Sequence, residues 1–577
     1  MKKSSKPDYY LKIEKYLPLL LSIFLIGISL TKINGEDDIY WHIETGKYIL
    51  ENKTVPSSDV FSFATYGEKW IPFEWLWDFT AYLIFSSAGF TGLYVLTVII
   101  TLLIFYLLYK ILKKFELNTT LSVLLLFILA LGIKYRIGLK PHMFTYLFFI
   151  LILYIIINFK YFGAFKKSIY FIPLIFLFWG NLHMGVIAGL MILLIYLFSE
   201  MFAYFSKSKR IIKPDRKTLM TILFVTLLSA AAMLINPNFI DTYVYSIQHT
   251  QMKLLDDINE WASPFDSKFL GKLFIFIYIF FLISIIYVIK YSFRKKDYFP
   301  VLLCIVFAIY SLRAVRFTTD FLLITFIFIA VSLSDSFRNR FKSFFEKKNR
   351  VAVSVTFILI TIFIILIPPN TTFRIIGFNS VFGTGLYEET FPVRVFDFIK
   401  QTGISETGER PFQNIDCGGY FLHNFPGKKN FIDSRNLNDT IFFNLKKIML
   451  KSPDFIPLIN KYNFDYFIIF YPILEYDPQF INTSVISYLS TNSNWKLVYL
   501  DNKSFLFVKN EAKFENIIAE YEYKYFSPYN LFFKRQEFDK AMKENNENMM
   551  TEINRIKTNE PASFYLTYLS RLYQKVF

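Results

Sequence analysis

Cysteine is almost missing from this chain: 2 among 577 residues, Cys304 within an apolar run and Cys417 in the C-terminal region. That scarcity excludes a disulfide framework and predicts two free thiols. A glycine-rich nucleoside-phosphate loop is also missing, which argues against ATP or another nucleotide-activated ligand. No small-x-small cleavage pattern follows the first apolar run, Leu17 to Ile33, although Lys2, Lys3 and Lys6 precede it. The expectation is a retained first span, not a removed signal peptide. Charge is sparse as well, at 19% of residues against 54% hydrophobic and 20% aromatic. A soluble protein of this length does not need so much apolar surface, whereas a polytopic membrane protein does.

Apolar runs of roughly 17–25 residues mark membrane spans. About eleven are found, near 16–33, 89–109, 119–138, 142–159, 168–183, 184–205, 218–235, 269–289, 299–313, 317–335 and 351–368. Trp75 to Ser86 reads as a further helix, lying in the interface or re-entering the membrane. With the N-terminus placed in the cytoplasm, the inner connections fall at Lys110–Lys114, Lys160–Lys167, Lys207–Lys217, Lys290–Lys296 and Arg338–Arg350. Each of these connections is basic, as inward-facing loops are in membrane proteins. Much of the +17 net charge therefore belongs to topology, and no nucleic-acid partner is expected. An odd number of spans puts the residues after Pro368-Pro369 outside, about 200 of them, enough for a separate domain.

The chain is organised around Gly35 to Asp78. This stretch opens on Glu36, Asp37 and Asp38, runs into a helix with Trp41 and His42, and turns at Pro56-Ser57-Ser58-Asp59. It closes on Trp70, Phe73, Glu74, Trp75, Trp77 and Asp78. Acids, a histidine and indoles beside a membrane surface point to a reaction site or a lipid-headgroup site. They equally fit an interfacial helix capped by Asp37 or Asp38, with its indoles in an aromatic belt.

In this topology all five histidines, His42, His142, His183, His249 and His423, lie at or beyond the outer face. Lys134, Arg136, Lys140, Arg313 and Arg316 lie there too, against the inward bias, with Asn181, Asn236-Pro237-Asn238 and Glu260-Trp261. Ionisable groups at the ends of apolar spans are costly unless paired or used. Arginine suits bidentate phosphate contacts. The alternatives are snorkelling of Arg136, Arg313 and Arg316 to headgroups, a hydrogen-bonded structural role for His183, and a helix stop at Asn236-Pro237.

Beyond the last span, Phe391 to Thr402 has helical spacing, Tyr466 to Phe470 reads as a buried strand, and Trp495 to Tyr499 and Ser504 to Val508 read as two short strands. The expectation is a small α/β domain within 370–510 and a tail at 511–577 of two or three helices.

The run Glu36, Asp38, Tyr40-Trp41-His42, Pro56, Asp59, Phe61-Ser62, Trp70, Glu74-Trp75-Leu76 resembles the first outer loop of a poorly characterised family of bacterial polytopic membrane proteins. Further matches fall at Lys140-Pro141-His142, Trp179 to His183, Ile235-Asn236-Pro237, Glu260 to Pro264, Arg313 with Arg316, Asp416 to Tyr420 and Phe431 to Arg435. The chain has Glu36 where that family has Asp, and Tyr40-Trp41 where it has two tryptophans. The family in turn resembles the GT-C glycosyltransferase superfamily, whose members place an acidic pair in the first outer loop and take a sugar from a polyprenyl-phosphate carrier.

The resemblance implies an α-helical polytopic membrane protein with about eleven transmembrane helices over 1–369, its first outer loop at 34–88, followed by the extracytoplasmic α/β domain and helical tail. It implies the bacterial inner membrane and an inverting enzyme. The expected catalytic residues are Asp38, helped by Asp37, as base or metal ligand. A divalent metal, Mg or Mn, would use Asp38, Glu36 and His42. Substrate contacts are expected from Trp41, His42, Glu74, Arg136, His142, Asn181, His183, Glu260, Arg313, Arg316, Asp416, Asp433 and Arg435. Of these, Arg136, Arg313, Arg316 and His183 would hold the carrier phosphate, and Arg136, His183 and Arg313 are expected to converge on one cavity. The segment from Asp416 also resembles the Trp-Trp-Asp-Tyr-Gly motif of oligosaccharyltransferases, with Asn414-Ile415 in place of the tryptophans, which implies acceptor recognition; a plain Gly-Gly turn is the alternative. The partners implied are membrane lipid, a polyprenyl-phosphate-linked sugar and an acceptor glycan, lipid or protein. A flippase for a lipid-linked glycan, or a non-catalytic anchor for an outer domain, are the competing functions.

Overall fold

The computed structural model describes residues 9–35, 38–164, 166–207, 213–266, 271–340 and 342–573. They form two compact units: Met1–Lys32 with Pro72–Gly385, and Ile33–Ile71 with Leu386–Phe577. The loop expected at 34–88 thus divides, its first part belonging with the C-terminal residues. The cause is pairing: Ile33 bridges Leu386, and Ser62 bridges Asn430.

The first unit is helical. Among the described residues, seven helices are long and apolar enough to cross a membrane: Trp75–Lys114, Thr119–Arg136, His142–Phe162, Val186–Phe205, Arg216–Met233, Lys272–Lys295 and Val315–Ser336. The shorter apolar helices Phe299–Ser311 and Arg350–Ile365 stand at two more of the expected spans, and Tyr9–Ser29 and Ile172–Leu182 at the others. Their apolar residues are not confined to one stripe, the pattern of helices surrounded by apolar matter. The most apolar stretch of Val315–Ser336 is 89% buried and that of Lys272–Lys295 only 33%, so the first is enclosed by its neighbours and the second turns an apolar face outward. Trp75 to Ser86 forms a helix of its own, as expected: the Trp75–Lys114 element is two helices that meet at a break at Gly89, with φ 59° and ψ −158°, a backbone region essentially restricted to glycine.

The second unit is built on a four-stranded sheet: β1 (Pro411–Gln413), β2 (Tyr466–Phe470), β3 (Trp495–Leu500) and β4 (Ser504–Lys509), in the order β1-β2-β4-β3. β1 lies parallel to β2, and the other pairs are antiparallel, with a bulge between Leu497 and Tyr499. β2 is buried at all five positions, which explains why it reads as an unbroken apolar run. The Asp38–Asn52 helix packs on the Gly418–Asn424 helix. The tail carries five helices among its described residues, 515–521, 528–533, 535–544, 546–559 and 564–572, more than expected because several are only two turns long. Glu552 fixes the link between the first two by accepting the backbone N–H groups of Lys524, Tyr525 and Phe526 at 2.9, 3.1 and 2.6 Å.

Candidate functional site

Polar groups gather in one cluster in each unit. In the second, Asp38 opens the Asp38–Asn52 helix, where a carboxylate suits the exposed N–H groups. Its Oδ1 accepts the Ser434 hydroxyl at 2.6 Å, and Ser434 Oγ accepts the Trp41 indole N–H at 3.1 Å. The Trp41 ring lies 3.7 Å from that of His42, which is buried. Tyr40, Glu44 and His423 complete the wall, with His423 Nδ1 3.0 Å from Glu44. Asp416 is exposed just before Gly418.

Asp433 and Arg435 are turned inward. The Arg435 guanidinium donates to Asp59 at 2.8 Å, to both Asp433 oxygens at 2.8 and 2.7 Å, and to Ser62 Oγ at 3.1 Å. It is stacked over Trp70 at 4.6 Å. The paired carboxylates push its pKa still higher against the opposing effect of burial. This network fastens 430–435 to 59–70 and directs the charges of Asp433 and Arg435 at protein groups.

Glu36 and Asp37 lie outside the described residues. Among the described residues no three His, Cys, Asp or Glu side chains stand within reach of one metal ion. Asp38 engages Ser434 and His42 is packed under Trp41, while Glu36, the third residue expected of a divalent-metal set, lies outside the described residues.

In the first unit, helix ends bring Arg136, His142 and Glu260 together. Arg136 Nη1 is 2.6 Å from Glu260 Oε1, and Lys140 Nζ is 3.8 Å from the same oxygen. Arg136 also donates to His142 Nδ1 at 3.2 Å and to Tyr146 at 3.3 Å, while His142 Nε2–H donates to the Arg136 carbonyl at 2.7 Å. His142 is therefore a neutral imidazole. Burial works to raise the Glu260 pKa, yet Arg136, Lys140 and Arg316 hold it well below the usual carboxylate range. Arg316 lies 4.7 Å over the Trp261 ring, and Arg313 is exposed. Cations outnumber anions here, which makes the cluster a place for an anion.

The His142 ring is 6.2 Å from that of His183. Thr145 Oγ1 lies 2.8 Å from His183 Nδ1 and accepts the Trp179 indole N–H at 2.8 Å. His183 Nε2 is 3.5 Å from Glu74. Asn181 accepts the Trp75 indole at 2.7 Å and donates to the carbonyls of Leu177 and Ile235, tying three segments. Of the residues expected to converge, Arg136 and His183 are joined through His142.

No protein-family model and no curated protein matches the chain. Solved structures do. The archaeal oligosaccharyltransferase AglB from Archaeoglobus fulgidus, in complex with an inhibitory peptide and a dolichol-phosphate, aligns at TM-score 0.57 and 11% identity over 87% of this chain and 74% of that one. The apo form of the Archaeoglobus fulgidus oligosaccharyltransferase aligns at TM-score 0.57 and 11% identity over 88% and 75%, and its complex with Zn and sulfate at 0.51 and 11% over 85% and 73%. The fold is that of these oligosaccharyltransferase structures. At such identity the likeness is one of fold, and function rests on the site.

Two participants escaped sequence reasoning. Ser434 sits inside a motif noted only for its neighbours, and nothing marked it as Asp38's partner 396 positions away. Asp320, in the first turn of the Thr318–Arg340 helix, is buried among apolar residues and feels the charges of Arg136 and Arg316. An acid in the first turn of an apolar span was the available signal.

Proposed function

We propose that this protein is a membrane glycosyltransferase that moves a sugar from a polyprenyl-phosphate carrier to an acceptor at the outer face of the bacterial inner membrane. The observation that carries this reading is the cation-rich cluster of Arg136, Lys140 and Arg316 around Glu260, set at the ends of apolar helices within a GT-C fold. A dolichol-phosphate is bound in one structure sharing that fold. Arg136 is pinned by Glu260 and His142, so it contributes a fixed field; Lys140, Arg316 and the exposed Arg313 supply the contacts to phosphate. The apolar helices hold the isoprenoid tail.

In the second unit Asp38 serves as the base. The acceptor hydroxyl attacks the anomeric carbon, its proton passes to Asp38, and the carbon–oxygen bond to phosphate breaks, leaving the phosphate on the lipid. Ser434 and Trp41 hold the carboxylate in one orientation. The acceptor, a glycan, lipid or protein, is met by the outer residues around Asp416. The N-terminus faces the cytoplasm, and the about eleven spans alternate as the basic loops require.

Binding of polyprenyl phosphate to the full chain tests the reading. An Arg316→Ala, Lys140→Ala double variant should bind the lipid phosphate at least about tenfold more weakly, the effect of losing roughly 1.4 kcal/mol of charge-assisted bonding. Unchanged binding contradicts the proposal. A flippase would use the same cations without a base, and Asp38→Asn separates the two.

A further inference from the structure

We propose that a small cavity in the second unit is a subsite for one hydroxyl group of the acceptor, and that the acceptor is a carbohydrate. The proposal rests on the transferase reading above and deepens it, because it selects among glycan, lipid and protein.

The cavity has Ser62 and Thr65 on one side and residues between Phe431 and Phe442 on the other, all within the second unit. Its volume is about 10 Å³, room for one water-sized group. Most polar side chains on its wall are already committed. The Ser62 hydroxyl donates to Asn430 at 2.7 Å and the Thr65 hydroxyl to Asp59 at 2.6 Å. Asn438 donates to Glu68 at 2.9 Å, and its side-chain oxygen accepts the Thr440 N–H at 2.7 Å. Asn436 differs. Its backbone holds φ 53°, a left-handed conformation that asparagine tolerates. Its Nδ2–H donates to the Ser434 carbonyl at 2.9 Å, but its Oδ1 is buried and accepts from no described donor. A buried acceptor is normally satisfied, so this one calls for a donor from outside the described residues. The backbone N–H groups of Leu437 and Asn438, also wall residues, donate to no described group.

Size and polarity select the occupant. An anion would meet Asn436 Oδ1 and the Asp433 carboxylate on the same wall. A cation would meet the Arg435 guanidinium, which lies 3.1 Å from Ser62 Oγ. A hydroxyl group is neutral, donates once and accepts as well. It gives its proton to Asn436 Oδ1 and takes one from a backbone N–H. The same Asn436 is bonded to Ser434, whose hydroxyl bonds Asp38 at 2.6 Å. A ligand that puts one hydroxyl in the cavity and offers a second to Asp38 carries at least two. A sugar ring holds several at fixed spacing, whereas a serine or threonine side chain has one.

The test uses the full chain in lipid nanodiscs and saturation-transfer NMR titrations. The probes are the methyl glycosides of glucose, galactose, mannose and N-acetylglucosamine, with N-acetylserine methylamide as the single-hydroxyl comparison and a polyprenyl phosphate as the reporter of the membrane unit. The wild-type protein should bind at least one glycoside and not the serine probe. Asn436→Gly suits the backbone at φ 53° and removes Oδ1. Leu437→Trp fills the cavity from its wall and leaves Asn436 in place. Each should weaken glycoside binding about tenfold, the scale of one buried hydrogen bond, with polyprenyl phosphate affinity unchanged. Glycoside affinity retained in both variants overturns the subsite and leaves a cavity for water only. A parallel fall in polyprenyl phosphate affinity assigns the effect to folding and overturns it too. Binding of the serine probe with the same dependence on Asn436 overturns the carbohydrate class. Wild-type binding of polyprenyl phosphate but of no glycoside overturns the subsite alone, whereas glycoside binding without any binding of polyprenyl phosphate overturns the carrier reading and leaves a sugar site.

Discussion

Replacing Arg435 by methionine removes a buried cation and strands two carboxylates. Arg435, Asp59 and Asp433 have side chains only 1%, 0% and 1% exposed. The guanidinium supplies the charge that balances both acids, through bonds of 2.7 to 2.8 Å. Asp59 retains the Phe61 N–H and the Thr65 hydroxyl, which moderates the loss. Deleting one partner of a buried ion pair costs about 3–5 kcal/mol, equivalent to roughly a hundredfold to a few thousandfold in an opening equilibrium. The reporters are the crossed bonds from Phe63 N–H to the Asn430 carbonyl and from Asn430 N–H to the Phe61 carbonyl, both 3.0 Å. Hydrogen exchange at those two amides should accelerate by about the same factor. Arg435→Lys should fall between, because one ammonium cannot reproduce the planar fork. Exchange at Phe63 and Asn430 that is unchanged in Arg435→Met would refute the claim that this network fastens the loop.

Other outcomes follow from single side chains. In Gly185→Ala the new Cβ meets the Thr145 side chain and comes within 2.9 Å of His183 Nδ1; thermal unfolding should report a loss of about 1–3 kcal/mol. Gly138→Ala, with nothing within 4 Å of its added Cβ, should change stability far less. The pH response of Glu260 has a defined sign: its folded pKa lies below the ordinary 4.5, so its ion pairs stabilise the protein fully above that value and are lost as pH falls toward the folded one. The stability difference between wild type and Glu260→Gln should therefore be constant from pH 7 to about pH 5 and shrink only at lower pH; a difference that shrinks between pH 7 and 6 contradicts the assignment.

Much of the fold was legible because its signals are local. A buried strand such as Tyr466–Phe470 announces itself as five apolar residues, and Trp495–Leu500 and Ser504–Lys509 flank a visible turn. β1, only three residues long, is too short to show periodicity. The break at Gly89 was legible, since the helix expected over Trp75 to Ser86 and the span expected from 89 meet there. The membrane-unit polar residues were found by their place at span ends, but not their pairing: that Arg136 meets Glu260 depends on tertiary packing across 124 positions. Asp433 and Arg435 shared a motif with Ser434, yet the fold pairs the first two with each other and Arg435 with Asp59, and directs Ser434 to Asp38. Spacing alone could not sort a fastening pair from a positioning one.

The central claim, sugar transfer from a lipid phosphate with Asp38 as base, is tested most directly by lipid extracts from a strain lacking the protein and complemented with either wild type or Asp38→Asn. The substituted amide keeps an oxygen for the Ser434 hydroxyl, which bonds the native carboxylate at 2.6 Å, but it cannot take a proton from an acceptor. The account predicts that polyprenyl-phosphate-linked sugar accumulates without the protein, disappears with wild type and persists with Asp38→Asn. Full clearance of the lipid-linked sugar by Asp38→Asn, or no accumulation in the deletion strain, would contradict it.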